Sequence, residues 1–237
     1  MTKKCEWLHN LLDDLPLIQW PFNIEKLPDN GVYFFYEEGE FFGHETKNKS
    51  RIVRVGTHRE GNFKSRMGDH FLFNESKMNF DKMKPPPHGR SIFRTNLGRA
   101  ILNKEKNDYL DIWNTDFTTK KNRIELSDLR DIPLEKKIET QVTSLLQNNF
   151  SFKYLIVKGQ EKRMGSKGIE SRLIGTLSEC GECLPSDDWL GHHSPVSKIR
   201  DSGLWLYQHL SDPPISDSDK NDLLEFRKYT KEWFDSQ

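Results

Sequence analysis

The sequence predicts an α+β fold in which a small three-stranded sheet, mixed or antiparallel, is flanked by helices. Two observations predict this fold. Three runs rich in apolar residues, at 31–36, 51–56 and 152–157, have the length and composition of strands. Around these runs, apolar residues recur at the three-to-four-residue spacing of amphipathic helices. The first two strands are expected to pair in an antiparallel manner across a long connection.

These first two strands carry different patterns. Beyond Gly31, every position of the first run is apolar or aromatic, which is typical of a strand buried on both faces. In the second run, strict alternation puts Val53 and Val55 on one face and Ile52 and Arg54 on the other. Arg54 is therefore expected to point away from both valines.

A helix with two chemically useful side chains is predicted after the second strand, over residues 62–73. Its apolar stripe has the i, i+4, i+8 spacing and consists of Phe63, Met67 and Phe71. Arg66 and His70 are four residues apart, so they lie on one helix face, next to the apolar stripe, and can reach one site. The alternative for such a pair is an ordinary solvated helix face.

The same spacing predicts further helices over residues 6–15, 88–105, 132–150, 166–178 and 217–234. Ser166 is expected to cap the fourth of them. Glu170 then lies in the first turn, where the helix dipole favours a carboxylate even on a plain solvent-facing surface.

The chain divides into three predicted parts. Residues 1–30 form an N-terminal helical addition and residues 31–178 form the core. Residues 179–237 form a C-terminal helical extension. A largely helical insertion at about 74–150 interrupts the core, and it begins with a polar stretch that ends in three prolines.

Charge is balanced overall but unevenly distributed along the chain. The 36 Lys and Arg match the 36 Asp and Glu, yet residues 44–106 carry 15 of the former and only 6 of the latter. A basic block between acidic flanks favours a face that binds a polyanion, unless the segregation averages out in three dimensions. The candidate side chains for binding nucleic acid are Arg59, Lys64, Arg90, Arg94 and Arg99. The alternative is that these charged residues only keep the protein soluble.

Two classes of protein are disfavoured by composition. No run of about eighteen apolar residues is present, so no membrane span is expected. The first residues lack the apolar segment of a signal peptide. Three cysteines fit a reducing compartment better than a disulfide framework, and a cytoplasmic location is expected.

A Cys-x-x-Cys pair, Cys180 and Cys183, precedes two adjacent histidines, which has some zinc-knuckle character. No second tight pair follows it. Nothing in the sequence itself supports Cys5 and His9 as the ligands that would complete a zinc site. The alternative is a set of buried thiols without a ligand.

The order of these features resembles the GIY-YIG nuclease superfamily. The tripeptide at 31–33, which ends in Tyr33, resembles the first signature, and Arg54-Val55-Gly56 resembles the second. Arg66 matches the family's helix arginine. His70 matches a histidine that certain restriction enzymes of the family carry, and Glu170 resembles the metal-binding glutamate. The matched positions fall within residues 31–73 and about 152–178.

The resemblance implies a metal-dependent endonuclease that hydrolyses DNA phosphodiester bonds, and restriction or defence is among the roles it leaves open. Glu170 would hold Mg²⁺ or Mn²⁺, and Arg66 would hold the non-bridging phosphate oxygens. Tyr33 would take the proton of the attacking water, with His70 or His58 assisting. The partner would be DNA, and cleavage of a palindromic site would call for a homodimer.

Three departures from the family pattern keep other functions open. Arg54 stands where the second signature normally has its tyrosine, twenty residues separate Tyr33 from it, and no asparagine follows Glu170 at the usual place. A catalytically degenerate nucleic-acid-binding protein is therefore the main alternative. A protein-interaction module is a third, with an interface at Trp189, Trp205 and Trp233, although core positions suit these tryptophans as well.

Overall fold

A computed structural model describes residues 3–43, 49–72, 80–165 and 168–236. Its α-helices are α1 (Lys3–Leu12), α2 (Phe63–Phe71), α3 (Ile92–Lys104), α4 (Leu110–Trp113), α5 (Lys120–Glu125), α6 (Ile132–Asn149), α7 (Gln160–Arg163), α8 (Ile169–Ser178), α9 (Ser197–Ser202) and α10 (Asp217–Asp235). Its strands are β1 (Ile18–Gln19), β2 (Val32–Phe41), β3 (Ser50–Gly56) and β4 (Phe150–Leu155). Within these ranges, no helix is both long and apolar enough to span a membrane.

The sheet has the strand order β1-β4-β2-β3, and each neighbouring pair is antiparallel. The α+β class is confirmed, but the described sheet has four strands where the sequence predicts three. The unpredicted strand, β1, is only two residues long and is defined by its pairing with Phe152 and Ser151. A segment this short has no period-two pattern that would reveal it.

Strand β2 is buried on both faces, as its composition predicts. Val32, Phe34 and Tyr36 face one apolar cluster, which includes residues of α1 and α8. Tyr33 and Phe35 face a second cluster, which includes residues of α2, α3 and α6. The sheet therefore lies between two layers of helices, because alternate side chains of a strand point to opposite faces.

A β-bulge in β3 changes which of its side chains share a face. Phe35 is paired with Arg54, but the next residue of β2, Tyr36, is paired with Ile52. Val53 is thus an extra residue between two pairs. The prediction that Val53 and Val55 share a face is wrong, since they belong to different apolar clusters. The bulge leaves Arg54 opposite Phe35, on the face that Tyr33 occupies.

The longest helices agree with the sequence pattern, and the ends of others differ. α6 and α10 match their predictions to within one residue. α2 is shorter than predicted because Leu72 adopts a left-handed backbone conformation, with a φ of 52°. α3 starts later than predicted, at Ile92, after a 3₁₀ turn and a cap by Ser91. The predicted Ser166 cap lies outside the described residues.

The terminal parts pack directly on the sheet. β1 lies within residues 1–30 and extends the sheet beyond β4. At the other terminus, α10 packs against β4, and the hydroxyl of Thr230 accepts a hydrogen bond of 2.9 Å from the backbone N–H of Ile156. The division into an addition, a core and an extension stays a prediction.

Arg94 forms a buried ion pair within the insertion and is not a surface residue. Its guanidinium contacts the Glu139 carboxylate at 3.1 and 2.5 Å and also donates to the backbone oxygen of His70. Both charged side chains are fully buried. The prediction that Arg94 binds nucleic acid is therefore wrong, because a basic residue at helical spacing gives no sign of an acidic partner in a distant helix.

The environment of Glu139 favours its charged form. Burial alone would raise its pKa, but Arg94 and a 2.9 Å hydrogen bond from the ring of His88 outweigh this effect. The pKa falls from 4.5 to about 2. The pair therefore stabilises the fold above about pH 4.5, and this contribution is lost as the pH falls towards 2.

Arg94→Ala should lower the free energy of unfolding by about 3–5 kcal/mol, because it leaves the buried Glu139 carboxylate without its guanidinium partner. Urea unfolding at neutral pH measures this loss. The matched control is Arg99→Ala on the same helix, where the half-buried guanidinium bonds to Asn114 and Asn96. Removal of that residue should cost about 1 kcal/mol or less. Equal losses in the two variants would contradict the proposed importance of the buried pair.

Candidate active site

Five side chains that the sequence singles out converge beside β3, where the two helical layers meet at the sheet edge. The hydroxyl of Tyr33 lies 3.2 Å from Nε2 of His70, and Arg54 interacts electrostatically with the same tyrosine. The guanidinium charges of Arg54 and Arg66 both act on the carboxylate of Glu170. Residues from β2, β3, α2 and α8 thus form one constellation.

Tyr33 is held by a close contact with Gly56, its cross-strand partner. A Cβ atom at Gly56 would overlap the tyrosine ring, so no other residue fits without a shift. Gly31 has a similar role, because its Cβ would lie 2.7 Å from the backbone oxygen of Leu155. The two glycines therefore allow the close backbone and ring packing that positions Tyr33.

His70 is fully buried between two hydroxyl groups. Nδ1 lies 2.7 Å from the hydroxyl of Ser91, and Nε2 faces Tyr33. Burial holds the pKa of His70 well below 6.5, and the charges of Arg66 and Arg54 add to this effect. The ring is therefore neutral. With the proton on Nδ1, Nε2 is free to accept a hydrogen bond from the Tyr33 hydroxyl.

Arg54 is buried and only partly satisfied. It donates to the backbone oxygen of Trp205, and its guanidinium carbon lies 5.0 Å from the centre of the Phe93 ring. Its Nε atom is buried and has no hydrogen-bond partner. The guanidinium thus retains a donor close to Tyr33 and Glu170.

Arg66, like Arg54, has a guanidinium group whose hydrogen bonds are only partly satisfied. It is half-buried, and one of its terminal nitrogens donates to the backbone oxygen of Arg90 at 2.8 Å. Its Nε atom is also buried without a partner. Unpaired buried donors are uncommon and need an explanation, such as a ligand that is absent from the structure. Two such guanidinium donors are suited to the oxygens of a phosphate.

Glu170 lines a cavity of about 310 Å³ together with Arg54. Burial raises the pKa of Glu170, while Arg54, His209 and the backbone N–H of Thr57 partly offset this effect. Among the described residues that line this cavity, Glu170 supplies the only carboxylate, and Asn96 and Gln208 supply amides. These hard oxygen donors fit Mg²⁺ or Mn²⁺, which are commonly held by one or two carboxylates plus water and substrate oxygens.

A family model described as GIY-YIG domain matches residues 11–232. The chain belongs to the GIY-YIG family. Members of this family are generally endonucleases, and their nuclease domain indicates DNA binding. No curated protein and no solved structure matches the chain.

His58 is not suited to the role predicted for it from the family resemblance. Its Nε2 accepts a hydrogen bond from the backbone N–H of Gly31, and its Nδ1 lies 2.6 Å from the backbone oxygen of Arg59. Both ring nitrogens are thus used by the backbone, which leaves none to assist a water molecule. His58 instead connects the first GIY-YIG signature to the loop after the second.

The remaining nucleic-acid candidates lie in different surroundings. Arg59 is exposed and lines a cavity of about 350 Å³ together with Arg66. Arg90 is also exposed, and its backbone contacts Arg66. Lys64 lies 3.5 Å from the carboxylate of Glu25, while Arg99 bonds to two asparagines. Arg59 and Arg90 are thus the two candidates beside the GIY-YIG constellation.

Several residues of the site are not apparent from the sequence. Ser91 contacts His70 and also caps α3. Its position just before a helical pattern indicates the cap but not the contact with His70. Asn96, Gln208 and His209 line the cavity with Glu170. These three residues carry no motif, and only the tertiary fold brings them to the site.

Gly56→Ala should lower the free energy of unfolding by about 1–3 kcal/mol, because the new methyl group displaces the Tyr33 ring. Thermal or urea unfolding measures this effect. Gly68→Ala is the matched control, since its Cβ would meet only the end of the Ile24 side chain at 3.4 Å. In a helix that change should be neutral or slightly stabilising. An unchanged stability for Gly56→Ala would contradict the contact.

The native His70 ring should not take up a proton as the pH falls through 6.5, because burial favours its neutral form. The unfolded chain does bind a proton there, so His70 contributes a loss of stability below about pH 6.5. An NMR pH titration, with the signal assigned by comparison with His70→Gln, measures this directly. A His70 signal that titrates near 6.5 would contradict the prediction.

Proposed function

We propose that this chain is a metal-dependent DNA endonuclease of the GIY-YIG family that hydrolyses phosphodiester bonds. The observation that carries the proposal is the convergence of Tyr33, Arg54, Arg66, His70 and Glu170 from four separate elements. A hydrolytic site for a phosphodiester needs positive charge for the phosphate, an acceptor for the proton of water and stabilisation of the leaving oxygen. The constellation offers a group for each need.

The phosphate is held by Arg54 and Arg66. Each has a buried Nε–H without a partner, and both side chains approach the same carboxylate. A phosphate oxygen would supply the missing acceptor. The two positive charges would then stabilise the charge that develops on the phosphate in the transition state.

Glu170 holds the divalent cation, Mg²⁺ or Mn²⁺, consistent with the typical use of divalent metals by this family. When bound, such a cation supplies Lewis-acid stabilisation for the departing 3′-oxygen. Glu170 is half-buried in the cavity and close to both arginines, so its carboxylate faces the place where the phosphate would lie.

Tyr33 and His70 accept the proton that the attacking water loses. The neutral His70 ring accepts the hydroxyl proton of Tyr33 at Nε2, and the tyrosine oxygen accepts the proton of the attacking water. Arg54 lies beside the same tyrosine and adds a positive charge there. In this scheme Arg54 supplies charge, and the hydroxyl of the family's second tyrosine is not required.

DNA approaches along the exposed side chains of Arg59 and Arg90, which flank Arg66. Their contacts with the phosphate backbone would make binding depend on salt concentration. The histidine pattern shared with restriction enzymes favours a restriction or defence role among those open to the family. A palindromic target would then require a homodimer.

The competing proposal is a DNA-binding protein on a degenerate GIY-YIG scaffold. Arg54 in place of the second tyrosine is the observation that favours it. It predicts metal-independent binding to DNA, with no cleavage under any metal condition.

Incubation of plasmid DNA with the wild-type protein and Mg²⁺ or Mn²⁺ should give cleavage that chelation abolishes. Glu170→Gln and Arg66→Ala should each reduce the rate by about 100-fold or more, because each removes a charge that acts on the transition state. Glu179→Gln, an exposed carboxylate at the end of the same helix, should cleave like wild type. DNA binding by the wild type without cleavage would support the degenerate alternative and overturn the nuclease proposal.

A further inference from the structure

The three cysteines of the chain come together in the fold, although two of them lie far from the first in sequence. Cys5 belongs to α1, while Cys180 and Cys183 follow α8. The Sγ atoms of Cys5 and Cys183 are 3.4 Å apart, and Cys180 belongs to the same buried apolar cluster. All three are buried as free thiols. The three thiols therefore lie together in one apolar cluster.

His9 adds a nitrogen to this cluster. It lies one helical turn after Cys5, and its ring is buried against Phe42, with 4.2 Å between the ring centres. Nδ1 is 3.7 Å from Sγ of Cys5, and Nε2 is 3.9 Å from Sγ of Cys183. The ligand atoms of Cys5, His9 and Cys183 all lie within 4.8 Å of one another.

Two of these separations join the proposed ligand atoms, and both are close to the edges of a tetrahedral zinc site. With Zn–S bonds of about 2.3 Å and Zn–N bonds of about 2.0–2.1 Å, ideal tetrahedral edges are about 3.6–3.8 Å. The two Sγ atoms of Cys5 and Cys183 are 3.4 Å apart, and Nε2 of His9 is 3.9 Å from Sγ of Cys183. A disulfide would need an S–S distance of about 2.05 Å, which the Cys5–Cys183 pair far exceeds.

We propose that Cys5, His9, Cys180 and Cys183 bind one structural zinc ion. Three sulfur donors and one imidazole form a donor set that favours zinc over Mg²⁺ or Ca²⁺. Four protein ligands leave no open position for a substrate. The thiols lie within the apolar cluster on the α1 and α8 side of the sheet, so the ion is shielded from solvent.

The ring of His9 is already oriented for this role. Nδ1 donates to the backbone oxygen of Cys5 at 2.9 Å, which fixes the tautomer and leaves Nε2 as the acceptor. Nε2 now receives a long hydrogen bond of 3.3 Å from the backbone N–H of Ile52. Zinc would replace that weak bond while the Nδ1 contact stays, as metal-binding histidines commonly use their second nitrogen.

The two histidines next in sequence to the cysteine pair are not part of the site. His192 and His193 are both exposed, and Nε2 of His192 lies 2.9 Å from the backbone oxygen of Ser186. The zinc ion would instead connect α1 to the segment after α8. It thereby fixes the first helix of the chain to the layer that carries Glu170.

Metal analysis of the reduced protein tests the proposal without any activity measurement. Protein purified without chelator should contain about one zinc per chain, and Cys183→Ser and His9→Ala should lose most of it. Replacement of zinc by Co²⁺ should give thiolate-to-metal charge-transfer absorption and the visible bands of a tetrahedral site. A chelator should make all three thiols reactive.

Leu12→Ala is the matched control, because it removes a fully buried side chain from the same helix and apolar cluster but no ligand. It should be less stable than wild type and still bind one zinc. The proposal would be overturned if reduced, folded wild-type protein took up neither Zn²⁺ nor Co²⁺. It would also be overturned if a disulfide formed among the thiols and its reduction restored no metal binding.

Discussion

The burial of β2 on both faces is the constraint on which the rest of the fold depends. Because both of its neighbours are antiparallel strands and both of its faces are covered, β2 can adopt only one register. A slip by one residue would exchange Tyr33 with Phe34 and place the tyrosine in the wrong apolar cluster. The single register puts the Tyr33 ring across Gly56, so the two signatures of the family are one packing unit.

The bulge in β3 brings Arg54 to the face of the sheet that carries Tyr33, which is where the proposed active site lies. Without the extra residue, Arg54 could not share a face with both Phe35 and Tyr33 while Ile52 stays opposite Tyr36. β3 is an edge strand, and the backbone N–H of Trp205 covers that edge by donating to Val53 at 2.8 Å. At such an edge, residues from α2 and α8 approach each other although they belong to different helical layers. Bulges are frequent beside active sites, because the extra residue changes the direction of a side chain.

Strands and long helices could be predicted from local patterns, because apolar runs and helical spacing are properties of neighbouring residues. The candidate site could also be predicted from the sequence, since Tyr33, Arg66 and Glu170 fit an ordered family pattern. Arg94 was misplaced because nothing near it in sequence reveals Glu139. The bulge at Val53 could not be predicted, because the same sequence is compatible with strict alternation and with a bulge. The thiol cluster likewise depends on contacts between the first helix and a segment near the C-terminus, which only the folded chain shows.

The central claim of the proposed mechanism is that Arg54 takes the place of the family's second tyrosine. Single-turnover cleavage of plasmid DNA by Arg54→Tyr, in Mg²⁺ and at saturating protein, tests it most directly. The variant has the family residue but lacks the charge near Tyr33 and Glu170, and its cleavage rate should fall by about 100-fold. DNA binding should change far less, because the exposed arginines remain. Cleavage as fast as wild type, or faster, would contradict the account.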